Sequence, residues 1–238
     1  MQSRSRKPIN ARGDRPARAR RLAPNPRAGA AAESRPAGTR NTHRRSAEIM
    51  EAAARVFAER GYHGASTQDI ADTLGIRQAS LYYYFSSKEA ALEQVCLQGV
   101  GGFFEAAQGI QAGPGTPREK LASLIRAHIA PLLDRSHFVR VFLTQRQFLP
   151  NESRRRIGKW SRGIEQIFEA VIRQGVRKGE FRREADPRLT ALAILGMANA
   201  VAAWYGKENT SIERIGGEFV ALALHGLAPA IKGRGRKV

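Results

Sequence analysis

The stretch Gly75–Glu89, GIRQASLYYYFSSKE, concentrates side chains that can hydrogen-bond to nucleic acid. Arg77 carries a planar donor group suited to guanine O6 and N7, and Gln78 carries an amide suited to adenine N6 and N7. Ala79 and Ser80 are small, so a helix bearing them can sit deep in a groove and touch a thymine methyl. The chemistry that these residue types favour is base recognition and phosphate contact rather than bond making.

The three consecutive tyrosines that follow divide between two environments when the segment is drawn as a helix. Leu81 and Phe85 are four residues apart and share the face that packs on a core. Tyr82 and Tyr83 point away from that core, where their hydroxyls can reach phosphates and their rings can lie against sugars. Tyr84 lies on the flank, where packing against the core is an equal alternative.

Several short helices must position these side chains. Ile49, Ala53, Val56 and Phe57 form one apolar face of a first helix that starts near residue 43, and Gly61 ends it. Ser66 or Thr67 caps a second helix over Gln68–Leu74, and Gly75 ends that one. A third helix starts near Gln78, and Ser86–Ser87 cap a fourth that runs to roughly residue 104. Two helices joined by a glycine-containing turn, the second short and polar, are typical of a helix-turn-helix.

The segment STQDIADTLGIRQASLYYYFSSKEAAL resembles the DNA-binding motif of the TetR family of bacterial regulators, and the resemblance covers residues 45–95. It implies that Thr67 and Lys88 contact phosphates and that Arg77, Gln78, Ala79, Ser80, Tyr82 and Tyr83 face the groove. Ala79-Ser80 departs mildly from the small pair, Gly-Thr or similar, that is common there, which bears on base preference. The resemblance also implies a homodimer that reads two half-sites of double-stranded operator DNA.

The rest of the chain predicts helices only, so the fold class is all-α. Further helical segments fall at about 118–134, 137–149, 152–178, 187–206 and 210–228, and no run alternates with period two long enough for a strand. We expect four parts: a disordered basic arm (1–42), a helix-turn-helix domain (43–103), a larger ligand-binding and dimerisation domain (104–230) and a basic tail (231–238). The last two helices are expected to form the dimer surface, with a buried intrachain hairpin as the alternative.

Residues 139–182 and 196–206 resemble, more weakly, TetR-type regulators of lipid, steroid or acyl-CoA metabolism. Residues 140–162 carry seven Lys/Arg against Glu152, a patch that suits the phosphates of an acyl-CoA beside an apolar tunnel, with a solvated helix face as the equal alternative. These basic residues are Arg140, Arg146, Arg154, Arg155, Arg156, Lys159 and Arg162. The candidate pocket residues are Phe142, Arg146, Phe148, Trp160, Phe168, Asn199 and Trp204.

The net charge of +19 is concentrated at the two ends of the chain. Residues 1–45 carry 13 Lys/Arg against two acids, whereas residues 46–103 carry four Lys/Arg against seven acids. The motif therefore sits in a net-negative region, and the arm is expected to supply cations for a polyanion. A solvating leader that touches nothing specific is the alternative reading; a transit peptide is disfavoured by the many prolines.

Composition also argues against several classes of protein. One cysteine and five scattered histidines give neither a disulfide framework nor the spacing of a metal site, and no cofactor is expected. No nucleophile–base signature or phosphate-binding glycine loop is present, so an enzyme is not expected. No secretory signal or transmembrane segment is visible, and a cytoplasmic protein is expected. The sequence predicts a ligand-responsive repressor; an activator of the same fold and a non-specific nucleoid-type protein are the alternatives.

Overall fold

The computed structural model describes residues 37–229, and within that range the chain folds into α-helices without a strand. The helices are α1 (Ala37–Gly64), α2 (Thr67–Thr73), α3 (Gln78–Leu81), α4 (Lys88–Ala112), α5 (Pro117–Ile129), α6 (Ser136–Gln145), α7 (Asn151–Lys178), α8 (Pro187–Trp204) and α9 (Ile212–Gly226). Short 3-10 helices follow α5 at Ala130–Leu132 and α6 at Arg146–Phe148. The all-α prediction is confirmed.

The described residues include only the last part of the predicted arm and none of the predicted tail. The basic tail and residues 1–36 of the predicted arm lie outside the described residues. Helix α1 begins at Ala37, six residues before the predicted start, so the last part of the predicted arm is helical. Inside the range of α1, Gly61 has φ 68°, a left-handed conformation that glycine adopts without strain, and the regular helix stops there as predicted.

Helices α1 to α3 form a small core with the start of α4. Ser66, rather than Thr67, caps α2: its hydroxyl accepts from the Asp69 amide at 3.1 Å, and the Asp69 carboxylate accepts from the Ser66 amide at 2.8 Å. This capping box satisfies two amides that the first turn of a helix otherwise leaves unpaired. Helix α3 is shorter than predicted, because regular helix ends at Leu81 and the tyrosines continue as turns.

Helix α4 connects this unit to the remainder of the fold. It packs against α1 and also against α5, α6 and α7. Because α4 is continuous from Lys88 to Ala112, the predicted domain boundary at residue 103 falls inside a helix. Gly99 allows a close approach to backbone: a Cβ built there would lie 2.7 Å from the Phe138 carbonyl oxygen of α6. The packing of α4 on α6 therefore depends on a residue without a side chain.

Caps in the sequence fix the outer helices. Thr116 forms a capping box ahead of Pro117 in α5, Asp186 caps α8, and Ser211 caps α9. Gly179 ends α7 with φ 75°. Helix α7 packs on α4, α5 and α8, and α9 packs on α5. Over residues 37–229, no helix is both long and apolar enough to cross a membrane.

Candidate DNA interface and effector cavity

The polar side chains of the α2–α3 unit lie on one exposed surface. Leu81 and Phe85 are buried, whereas Tyr82 and Tyr83 are 55% and 81% exposed. Tyr84 is half-buried and packs its ring edge-on against Tyr83 with centroids 5.0 Å apart. The division of the tyrosines therefore agrees with the helical wheel, although the α-helix itself ends at Leu81.

The two helices of the motif are tied together by a side-chain hydrogen bond. Gln78 Nε2 donates to Thr67 Oγ1 at 2.7 Å, which joins the first residue of α3 to the first residue of α2. Arg77, the residue before α3, is exposed and makes no capping bond, and Ala79 and Ser80 are exposed beside it. The unit thus presents Arg77, Ala79 and Ser80 directly, whereas Gln78 must exchange its bond to Thr67 before it can reach a base.

The Lys88 ammonium is bonded within the protein, whereas a phosphate contact was expected for it. Its ammonium donates to the carbonyl oxygens of Tyr62 and Ala65, each at 2.9 Å, and lies 4.4 Å from the centre of the Tyr62 ring. These carbonyls are left unpaired where α1 ends, and a lysine side chain satisfies such groups. The Tyr62 hydroxyl donates in turn to Glu89. Burial and that bond raise the pKa of Tyr62 to about 12.

The same tyrosine joins the motif to the larger unit. The Tyr62 amide donates to Gln145 Oε1 at 2.9 Å, and its ring stacks on Phe148 with centroids 5.6 Å apart. His63 meets Phe148 edge-on at 4.6 Å. We name the segment Gln145–Phe148 the junction, because its first and last residues hold the end of α1.

The larger unit contains a mainly apolar cavity of about 260 Å³ between α4, α5, α6, α7 and α8. Its polar lining residues are Arg146, His128, Ser161, Glu165 and Asn199. Its apolar lining residues are Val100, Phe103, Leu132, Val139, Phe142, Leu143, Ile164, Leu192, Leu195, Gly196, Ala198 and Ala202. This is the arrangement of a small-molecule site, in which apolar walls surround a few polar groups.

A second, more open and basic cavity adjoins the first. Arg146, Ser161 and Glu165 line both, and Arg154 and Arg162 line the second cavity together with the surface pocket beyond it. Because Glu165 is paired with Arg188 at 2.7 Å, the arginines dominate the charge of this opening. The arrangement fits an anionic head group whose apolar part enters the inner cavity.

The structure brings together only part of the predicted basic patch. Arg146, Arg154, Arg155 and Arg162 line the opening. Arg156 instead pairs with Glu93 of α4, which also accepts from Ser153 Oγ at 2.8 Å. Arg140 donates to the Ala58 carbonyl of α1 at 3.2 Å. These two arginines hold elements together and do not line the opening.

The predicted pocket residues also separate. Phe142, Arg146 and Asn199 line the inner cavity, and the Arg146 guanidinium lies 4.8 Å from the centre of the Phe142 ring. The other four do not line it. Phe148 lies in the junction, Trp160 packs edge-on against Phe104 at 5.2 Å, Phe168 is buried behind His128, and Trp204 is half-buried at the end of α8.

Sequence reasoning missed several residues of this site. His128 and Ser161 line the cavity, and Tyr62 and Gln145 form the contact between the two units. Tyr62 directly follows the glycine that stops α1, a position that marks a boundary. The others carry no signal in the sequence, because their partners lie dozens of residues away.

Three large leucines of α8 and α9 are exposed. Leu189 and Leu222 are 66% and 63% exposed, and Leu192 is exposed between them in the sequence. Large aliphatic side chains at this exposure, on two helices that both pack on α5, indicate a surface that another protein covers. These are the helices expected to form the dimer surface.

Comparisons with known proteins agree with this arrangement. Residues 49–95 match the family described as bacterial regulatory proteins, tetR family, and residues 114–227 match the tetracyclin repressor-like C-terminal domain. The fatty acid metabolism regulator protein of Bacillus subtilis is 30% identical over 160 residues, which cover 66% of this chain and 81% of the relative. The repressor KstR2 of Mycobacterium tuberculosis is 28% identical over 195 residues, 81% of this chain and 96% of the relative.

A solved structure is similar over most of the chain. The crystal structure of AibR in complex with isovaleryl coenzyme A and operator DNA superposes with a TM-score of 0.69 at 27% identity, covering 75% of this chain and 97% of that one. These relatives are transcriptional regulators, not enzymes.

Proposed function

Because the chain belongs to the TetR family of bacterial transcriptional regulators, we propose that it is a cytoplasmic repressor that binds a palindromic operator as a homodimer and leaves it when an acyl-CoA binds. The observation that carries the effector class is the apolar cavity continuous with an arginine-lined opening. An acyl-CoA has the matching form, with an apolar acyl part and a phosphate-bearing head group. The complex of AibR with isovaleryl coenzyme A and operator DNA supports the same class.

DNA recognition is assigned to the exposed surface of α2 and α3. Arg77 is placed for a guanine edge, Ala79 and Ser80 for close approach, and Tyr82 and Tyr83 for the phosphate walls of the groove. A recognition helix of four residues reads few base pairs, so two copies at half-sites about one DNA turn apart are needed for specificity. The exposed leucines of α8 and α9 are the surface on which the two copies would pair.

The junction supplies a route from effector to operator. Arg146 lines both cavities, while its neighbours in the junction hold the Tyr62 amide and ring. An anionic effector that draws Arg146 toward its phosphates would shift Gln145 and Phe148, and with them the end of α1. The shift changes the spacing of the two recognition helices. Effector binding then weakens operator binding by the difference in its affinity for the two states.

The experiment combines footprinting with operator release. We expect a discrete palindromic footprint, and we expect acyl-CoAs, but not free CoA or free fatty acids, to release the operator. The double variant Arg154→Ser/Arg162→Ser should need about tenfold more acyl-CoA, because each arginine contributes a charge-assisted bond at a solvent-accessible site. Lys159→Ser removes an exposed charge of the same helix that does not line the opening, and it should behave like the parent protein.

Other outcomes identify the alternatives. Uniform coverage of DNA would support a nucleoid-type protein, and operator binding that raises transcription would support an activator. Release by all compounds alike, or by none, would contradict the acyl-CoA assignment. Leu222→Glu should convert the dimer into monomers in sedimentation and abolish the footprint, because it places a charge in the apolar surface.

A further inference from the structure

One polar pair lies in the wall of the inner cavity, apart from the arginine, serine and glutamate that this cavity shares with the opening. His128 Nε2 lies 2.9 Å from Asn199 Oδ1, which joins α5 to α8. The imidazole packs against the rings of Phe103 and Phe168, with centroids 5.0 and 6.0 Å away. Both residues of the pair line the cavity. His128 is half-buried and Asn199 is exposed, so a ligand that covers them costs desolvation free energy unless it uses their hydrogen-bonding groups.

The pair is separate from the basic opening. The polar residues shared by the two cavities are Arg146, Ser161 and Glu165, whereas His128 and Asn199 line the inner cavity alone. A molecule whose phosphates lie at the arginines therefore brings its acyl part, not its head group, to the His–Asn pair. What the pair recognises must be a feature of the acyl part.

The unused hydrogen-bonding groups of the pair are one acceptor and one donor. Burial lowers the pKa of His128, so the imidazole is neutral at pH 7. With Nε2–H donating to Asn199 Oδ1, Nδ1 keeps a lone pair that accepts, and Asn199 Nδ2 keeps hydrogens that donate. Within residues 44–229, the bond between them is the one side-chain hydrogen bond that either makes. A hydroxyl group, which both donates and accepts, matches the two together.

We propose that the effector is a hydroxylated acyl-CoA and that His128 and Asn199 select its hydroxyl group. The inference rests on the proposed function, because it takes the cavity to be the acyl-CoA site. A site whose polar groups bond a hydroxyl discriminates against an analogue without it, since an apolar chain that covers those groups leaves them unpaired. A plain alkyl chain of the same length fills the same apolar space and leaves both groups unpaired.

The test compares matched CoA thioesters on the full-length protein. Hexanoyl-CoA and its 3-, 5- and 6-hydroxy derivatives are titrated by calorimetry and by operator release. We expect one hydroxy derivative to bind the parent protein at least about tenfold more tightly than hexanoyl-CoA. In His128→Phe and in Asn199→Leu the preference should fall to within about twofold. Asn199 is exposed on α8 and leucine has nearly its shape, so this variant should fold even if His128→Phe does not.

Three results would overturn the inference, and the third is distinguishable from the first two. If hexanoyl-CoA binds at least as tightly as every hydroxy derivative, or if the preference survives both substitutions, the His–Asn pair does not select a hydroxyl, while the acyl-CoA assignment stands. If no CoA thioester binds a protein that still binds its operator, the acyl-CoA assignment fails and the inference fails with it. Operator affinity without effector, unchanged in both variants, verifies that the substitutions act on the cavity.

Discussion

Substitution of Lys88 by methionine separates two roles for a residue at the edge of the DNA-binding surface. If Lys88 contacts a phosphate, its ammonium must face the DNA. If Lys88 clamps the end of α1, its ammonium is held by carbonyl oxygens of the protein itself. In the structure its two bonds go to the carbonyl oxygens of Tyr62 and Ala65, both at 2.9 Å. Methionine keeps an unbranched side chain of similar length and removes the ammonium, with its donors and its contact over the Tyr62 ring. The change therefore tests the ammonium and not the bulk of the side chain.

The expected cost follows from those two bonds. A hydrogen bond that involves a charged group contributes about 1.5–3 kcal/mol, and the half-buried carbonyls recover part of that from water. We expect Lys88→Met to lower the free energy of unfolding by about 2–3 kcal/mol. For a chain of this size, that corresponds to a fall in Tm of roughly 4–12 °C. Operator affinity at a temperature where the variant is folded should fall without a change in its dependence on salt.

The assay pairs thermal unfolding with a salt titration of operator binding. Each phosphate contact contributes about −0.9 to the slope of log K against log salt, so loss of one contact per subunit would flatten the slope by about 1.8 in a dimer. Lys120→Met is the matched control: its ammonium donates to the Gln111 carbonyl at 2.7 Å, far along the chain from the motif. The clamp would be refuted if Lys88→Met left Tm unchanged and flattened the salt slope, while Lys120→Met left the slope unchanged.

Three further predictions follow from particular contacts, and a fourth follows from the charge of the arm. Gly99→Ala should lower the free energy of unfolding by about 1–3 kcal/mol in urea titrations, because its methyl group would press on the Phe138 carbonyl; an unchanged midpoint would contradict the close packing of α4 on α6. Because burial lowers the pKa of His128, its contribution to stability is complete above the unfolded value of about 6.5 and is lost as pH falls below it. The parent should therefore lose up to about 1.4 kcal/mol per pH unit relative to His128→Phe, and parallel stability curves would refute this. Gln145→Leu should bind acyl-CoA normally but release operator poorly, because the bond to the Tyr62 amide is lost; normal release would remove the junction from the mechanism. Removal of residues 1–36 should lower operator affinity and flatten its salt dependence, since that segment carries most of the basic arm; an unchanged slope would mean that the arm does not contact DNA.

Local signals in the sequence were sufficient for the elements and for the surface of the motif. Helix periodicity, the glycine at position 61 and the serine caps predicted most helices to within a few residues. The same spacing predicted that Leu81 and Phe85 are buried and that Tyr82 and Tyr83 are exposed. Each of these properties depends on residues within one or two helical turns. Their physical causes are local, so they can be read from the sequence alone.

Partners distant in sequence were decided only by the tertiary structure. Its place in the motif marks Lys88 as a cation near DNA. In the fold, however, the end of α1 lies against Lys88, and the ammonium donates to the carbonyl oxygens there. The sequence could not distinguish the seven basic residues of one segment. The packing of α7 against α4 pairs Arg156 with Glu93, whereas Arg154 and Arg162 line the opening. His128 and Asn199 lie 71 residues apart and meet because α5 and α8 enclose the same cavity. The sequence by itself determined which residues can bond DNA or an anion; the fold determined which of them are free to do so, because each internal bond engages a donor that would otherwise be available to a ligand.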